Sequence, residues 1–284
     1  MKFAIALFIF FSACSLSKGS VKESTKKWTL VVVPDTQHYS AGWEKAPYEH
    51  MAKGFEWIRD NRDRLNIQMV QGLGDITQDW NSRYQWERAE KAWSVLRGHV
   101  LYMPTRGNHD DPYMFRLYFP EAKFKVLPWW LSGHNGVNSA FEMKLHGKKY
   151  VFIQLDTFDQ YSTGKDYSAI DWANRLIEEN DDARIILATH DLWSTSEVKD
   201  RLLSKHDNIV LANAGHSCVR ERRYKVKSAE VFIVNYQCDE YEDFKLRYYT
   251  FHSNGKVEFK TFSPASGEFE KDSSSEGFFK LPVE

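Results

Sequence analysis

Val100-Leu101-Tyr102-Met103-Pro104-Thr105-Arg106-Gly107-Asn108-His109-Asp110 reads as a short buried strand that opens into a polar loop. An amide, an imidazole and a carboxylate stand in a row where an α/β fold opens its crevice, at the carboxyl end of a strand. Gly-Asn and His-Asp are also common turn chemistry, so the fragment alone is as much a turn as a site. Four further fragments of similar make-up, each following an apolar run, shift the balance. They are Asp35-Thr36-Gln37 after Trp28 to Val33, Gly74-Asp75 after Ile67 to Val70, His190 after Arg184 to Ala188, and Gly215-His216-Ser217-Cys218 after Ile209 to Ala212.

Between these runs lie stretches with helical spacing. Met51, Phe55 and Ile58 mark a helix over Tyr48 to Asn61, and Trp86, Ala89 and Trp93 one over Arg83 to Leu96, ended by Gly98. Further helices are expected over Ser168 to Asn180 and Ser196 to His206, with a strand at Tyr150 to Leu155. Short strands alternating with amphipathic helices predict a layered α/β sheet whose parallel strand ends converge. The last third changes to strands alone: Glu230 to Tyr236, Lys245 to His252 and Lys256 to Phe262, with Asn254-Gly255 as a hairpin turn. The tail from Pro264, rich in Ser, Glu and Gly, is expected to be loosely structured.

Two stretches allow two readings each. Glu121 to Asn138, with Phe124, Trp129, Trp130 and His134, is either a lid over a pocket or an aromatic cap on the core. Arg220 to Lys227 carries five basic residues and is either a solvated hairpin or a rim that attracts phosphate.

The 284 residues, 42% of them hydrophobic, suffice for one substantial core, and no linker divides them. A formal net charge of −1 provides no general field for a polyanion, so extended nucleic-acid binding is not expected; a small phosphorylated substrate needs only a local site. Met1-Lys2, the apolar stretch Phe3 to Phe11 and Ser12-Ala13-Cys14-Ser15 have the order of an export signal, removed after about Ser17. Phe11-Ser12-Ala13-Cys14 also resembles a bacterial lipoprotein box, which would tether a lipidated Cys14 to a membrane. In an exported chain, Cys218 and Cys238 are most simply one disulfide.

Taken in order, the five fragments resemble the calcineurin-like metallophosphoesterases, whose pattern runs Asp-x-His, Gly-Asp, Gly-Asn-His-Asp/Glu, a lone His, and Gly-His-x-His. The resemblance spans residues 28 to 263, and Gly107-Asn108-His109-Asp110 is its most specific part. The opening Val-Val-x-Pro-Asp-Thr-Gln is similar to an exported branch of that family. Val234-Asn235-Tyr236-Gln237 and Thr261-Phe262-Ser263-Pro264 are similar to later landmarks of the branch.

The resemblance implies a four-layer α/β/β/α sandwich, two mixed β-sheets face to face with helices outside. It also implies two divalent metal ions (Zn, Mn, Fe or Mg) and hydrolysis of a phosphomonoester or phosphodiester through a metal-bridging hydroxide. Position by position, Asp75 would bridge both metals, while Asn108, His190 and His216 would complete the second metal's shell. Asp35 would hold the first metal together with Gln37 and Cys218. Gln37 stands where the wider family has His, and its amide oxygen still suits a hard cation. Cys218 stands where the closing His is expected: its thiolate is a good Zn ligand, yet a disulfide to Cys238 would remove it. That bridge would stabilise the fold by about 3 kcal/mol. His38 is a substitute donor that the strand pleat would turn away. His109 would be the general acid facing the leaving oxygen, oriented by Asp79 or Asp110. A catalytically weakened binding or scaffold protein on the same fold is the alternative.

Overall fold

A computed structural model describes residues 26–158, 166–192, 196–238 and 243–282. The expected export signal and Cys14 lie outside the described residues. In chain order the strands are β1 (Lys27–Val33), β2 (Ile67–Gly72), β3 (Leu101–Met103), β4 (Trp130–His134), β5 (Asn138–Leu145), β6 (Lys148–Leu155), β7 (Arg184–Thr189), β8 (Ile209–Ala214), β9 (Arg220–Val226), β10 (Ala229–Asn235), β11 (Leu246–His252), β12 (Lys256–Phe262) and β13 (Glu276–Lys280).

They form two mixed sheets. The first has the order β13-β12-β11-β1-β2-β3, and the second β4-β5-β6-β7-β8-β10-β9. β1, β2 and β3 are parallel, as are β6, β7, β8 and β10, while the outer pairings are antiparallel. The parallel strands are buried on both faces, which explains continuous runs such as Leu30 to Val33.

The sheets pack face to face through aromatic pairs. Trp28 of β1 meets Tyr150 of β6 edge-on at 5.1 Å, and Phe232 of β10 meets Tyr249 of β11 at 5.3 Å. A second apolar cluster lies on the outer side of the second sheet, where Ile170, Leu176 and Ile177 of the helix Tyr167–Glu178 pack with Val151, Ile153 and Ile185. The helix Tyr48–Leu65 buries Met51, Phe55 and Ile58 and packs on β1 and β2. Its end is closed by Asn66 in the left-handed conformation, whose N–H donates to Arg62 and Asp63 carbonyls.

Several expectations are revised. The helix expected over Ser196 to His206 is one α-turn, Ser196–Val198, running into a π-turn, Lys199–Leu203, which brings the adjacent Leu202 and Leu203 both into the core. The stretch from Glu121 to Asn138 holds a short helix, Glu121–Lys125, and β4, the edge strand of the second sheet. Phe124, Trp129 and Trp130 pack onto the core there, so the aromatic-cap reading describes it. The basic stretch is β9, an outer strand, and the turn after it: Arg220 and Arg223 of the strand pair with Glu270 and Glu230, and Lys227 of the turn with Asp207.

The tail is not loose throughout. β13 pairs with β12 and buries Phe279, and the burial of that ring together with the strand pairing outweighs the surrounding Ser and Gly.

Polar side chains join the two sheets near the carboxyl ends of the parallel strands. Gln154 of β6, fully buried, donates to the carbonyls of Gly72 and Met103 at 2.7 and 2.8 Å. Tyr249 of β11 donates to Asn213 Oδ1 of β8 at 2.6 Å. These bonds fix the two sets of strand ends relative to each other, and therefore the loops those ends carry.

Candidate metal centre

Seven loops meet at this end of the sandwich. Thr36 N donates to Asp75 O at 3.0 Å and Gly215 N to His190 O at 3.0 Å, so the loops after β1 and β2, and after β7 and β8, are tied in pairs. Asp75 and His216 both occupy the left-handed region, with φ of 47° and 64°. Neither is glycine, so each conformation costs about 1–2 kcal/mol, as backbone strain at functional sites often does. Gly107 and Gly215 allow the loops to close: a Cβ on Gly107 would run into the Asp75 carboxylate and backbone N, and one on Gly215 into Asp35 Oδ1.

The imidazole of His190 is the hub. Its Nε2 lies 3.2 Å from Asp75 Oδ1, 3.0 Å from Asn108 Oδ1 and 3.1 Å from His216 Nδ1, while its Nδ1 meets Leu73 O at 2.8 Å. The structure thus brings together all four residues expected around the second metal, and Asp75, His190 and His216 alone form a group able to hold an ion. The Nδ1–carbonyl bond fixes the ring and turns Nε2 toward the other donors.

Asp35 is buried beside this group. His216 N donates to its two oxygens at 3.2 and 3.1 Å, and Asn235 Nδ2 to Oδ2 at 2.8 Å. Gln37 is buried too, and its Oε1 has no hydrogen-bond partner, an orphan acceptor of the kind a cation satisfies.

Cys218 does not serve as a ligand. It is bonded to Cys238, with Cα atoms 5.4 Å apart, so the thiolate of the alternative reading is gone. His38 is no substitute: its Nδ1 meets Gln237 O at 3.3 Å and its ring stacks on Trp43.

His109 stands at the edge of the cluster, half-buried. Its N–H donates to Asp75 Oδ1 at 3.0 Å, and its Nδ1 lies 3.0 Å from the carbonyl of Gln78. Neither carboxylate proposed to orient it does so. Asp110 accepts from the N–H groups of Ile76, Thr77 and Gly107 and so shapes the loops, while Asp79 accepts from Gln85 Nε2 at 2.6 Å.

Sequence reading missed the supports. Arg106, buried, donates to the Asp156 carboxylate and to Phe158 O, fastening the loop after β6 to the one after β3. Asn235 was quoted only as a landmark. No motif marks such residues, because each acts on a neighbour that the chain reaches only once both sheets are packed.

The charges suit a cation. Burial pushes Asp35 well above the ordinary carboxylate range despite attraction to His190. Burial, then repulsion from Asp75, pushes Asp110 up to about 6. Two carboxylates (Asp35 and Asp75), two imidazoles (His190 and His216) and two amide oxygens (Gln37 and Asn108), most of them buried, are a donor set for Zn, Mn, Fe or Mg.

No protein-family model matches the chain. Over 206 residues, 66% of the chain, it is 27% identical to the uncharacterized protein YvnB of Bacillus subtilis strain 168, and it spans only 15% of that protein's length. Among solved structures it is similar to GAP50, the anchor in the inner membrane complex of Plasmodium. The TM-score is 0.57 at 12% identity, over 91% of this chain and 89% of that one. It is also similar to the purple acid phosphatase PPD1 from yellow lupin seeds, with a TM-score of 0.55 at 10% identity, over 91% of this chain and 55% of that one. Two mixed sheets flanked by helices, with this cluster at their strand ends, give the chain the α/β fold of the metallophosphoesterases.

Proposed function

We propose that this protein is an exported metal-dependent phosphoesterase acting on a small phosphomonoester or phosphodiester. The observation that carries this reading is the convergence of Asp75, Asn108, His190 and His216 on one point, with the backbone of His109 bonded to the same Asp75 oxygen.

Asp75, Asn108, His190 and His216 would hold one divalent cation; Asp35 and Gln37, with Asp75 shared, would hold another. When bound, the cations supply positive charge for the phosphoryl oxygens and make a water acidic enough to attack near neutral pH. The remaining work belongs to the chain. Leu73 O and Gln78 O each fix one imidazole tautomer, of His190 and of His109, by accepting from Nδ1. For His109 that turns Nε2 away from Gln78, and it is the protonated ring, with N–H on both nitrogens, whose Nε2 would give its proton to the leaving oxygen. Burial of Asp35, Asp75 and His190 keeps bulk water from screening these charges.

The disulfide at Cys218 favours a specific form of this reading, in which the Asp35 and Gln37 position binds its cation weakly and is completed by substrate. The same observation supports a second reading, a scaffold that keeps the fold with little catalysis; GAP50 is itself described as an anchor. The retained His109 speaks for the enzyme, since a scaffold needs no proton donor.

Turnover of an aryl phosphate monoester and diester, with and without added Mn²⁺ or Zn²⁺, separates the two. Turnover that rises with excess metal is the expected result. None under any metal, with phosphomonoesters and diesters both tried, leaves the scaffold.

A further inference from the structure

The segment from Asn235 to Cys238 contributes no donor to the metal centre, yet it is fastened to it repeatedly. Asn235 ends β10 in the second sheet and is fully buried. Its Nδ2 donates across the sandwich to Oδ2 of Asp35, which follows β1 in the first sheet, at 2.8 Å. Its Oδ1 accepts from Gln237 N at 3.3 Å, and this bond decides the orientation of the amide: the oxygen faces an N–H, so the nitrogen must face the carboxylate. Gln237 then accepts from His38 N through Oε1 at 3.5 Å, and Cys238 is bonded to Cys218, two residues past His216.

The consequence falls on the two oxygens of Asp35. Among the described residues, Oδ2 accepts from both Asn235 Nδ2 and His216 N, whereas His216 is the one other residue that donates to Oδ1; the backbone N–H of Asp35 itself also acts on the carboxylate. An ionised carboxylate offers about two acceptor positions per oxygen. Oδ2 therefore has one more of its positions taken, by Asn235, and Oδ1 is the oxygen left better able to take a cation.

Resting on the reading of this site as a metal centre, we propose that Asn235 is a positioning residue for the Asp35 cation. By occupying Oδ2 it fixes the rotation of the carboxylate and makes Oδ1 the ligand atom. Partners that orient a ligand in this way typically change metal affinity by about 10–100-fold.

The test is calorimetric titration of the folded chain with Mn²⁺ in the presence of inorganic phosphate. Wild-type protein should bind two cations, and the weaker is assigned to Asp35 by its loss in Asp35→Ala. Asn235→Ala should weaken that cation by about 10–100-fold and leave the tighter one within about twofold. Asn213→Ala removes an equally buried amide that joins the sheets through Tyr249 without touching Asp35, and should weaken neither selectively. If Asn235→Ala fails to fold, Asn235→Ser, whose hydroxyl is too short to hold Oδ2, should show the same selective loss.

Equal affinities in wild type and both Asn235 variants would overturn the role of Asn235 while leaving the metal centre intact. Equal weakening of both cations, or the same loss in Asn213→Ala, would reduce it to general loosening and overturn it too. A wild-type chain that binds no cation would instead overturn the metal centre, and one that binds a single cation the Asp35 position.

Discussion

His190 Nε2 stands 3.2 Å from Asp75 Oδ1, and both side chains are almost completely buried. Burial by itself would lower the imidazole and raise the carboxyl, yet their attraction wins on both sides. His190 is pushed up to about 10, and Asp75 is held below the ordinary carboxylate value. Without a cation the pair is an imidazolium beside a carboxylate. A cation that takes Nε2 must displace that proton, so its binding releases about one proton and strengthens about tenfold per pH unit through the neutral range. Mn²⁺ titrations at several pH values in buffers of different ionisation enthalpy read both quantities. Affinity that does not change with pH would remove His190 from the ligand set.

Asp75→Asn keeps the shape of the side chain and removes its charge. The same substitution takes away both the proposed shared ligand and the main partner that raises His190. Elemental analysis of protein purified without chelator should find metal lost together with activity. Unchanged metal content would contradict the assignment of Asp75 as the shared donor.

His109→Ala leaves every proposed ligand in place. Its turnover should fall by about two to four orders of magnitude with metal content unchanged, the range for loss of a general acid. The deficit should shrink for esters whose leaving alcohol is already acidic, because such a leaving group needs no proton. An equal deficit for good and poor leaving groups would give His109 a purely structural task.

The part of this centre legible in the sequence is the part delivered directly by strands. Asp35, Asp75, Asn108, His190 and His216 each follow an apolar run, and parallel strands in register carry their ends to one place. The supports were not legible, since Asn235, Gln154 and Arg106 act on loops 200, 82 and 50 positions away in the chain. β13 was hidden for a local reason: five residues between Ser-rich and Pro-containing flanks show too little alternation to stand out. Cys218 was ambiguous because a thiol suits a cation and a second thiol equally well, and only the approach of the loop after β10 decides between them.

Gly107→Ala tests the closeness of the loops after β2 and β3. The new methyl would collide with the backbone N and carboxylate of Asp75, and backbone cannot rotate aside. Overpacking of this kind costs about 1–3 kcal/mol, to be read from urea denaturation of the metal-free chain. Metal affinity should fall as well, because the displaced group is a proposed ligand. Wild-type stability and affinity together would mean that the loops have slack the structure does not show.

Glu221 of β9 and Arg247 of β11 form an ion pair at 2.8 Å between the two sheets, almost fully buried. Burial would raise the glutamate, but the Arg247 guanidinium, together with bonds from Tyr236, Thr261 and Ser275, brings it below its ordinary value. The unfolded chain therefore takes up a proton at a higher pH than the folded one. The stability from this pair is fully present above the ordinary glutamate value of about 4.3, and it is lost as pH falls through the lower folded value. Glu221→Gln leaves Arg247 buried without its counter-charge, which should cost about 3–5 kcal/mol at neutral pH. In urea denaturation followed from neutral pH downward, the stabilities of wild type and Glu221→Gln should draw together only below about pH 4. A gap that stays constant down to acid pH would mean that the glutamate contributes its shape and hydrogen bonds to the sandwich, and its charge nothing.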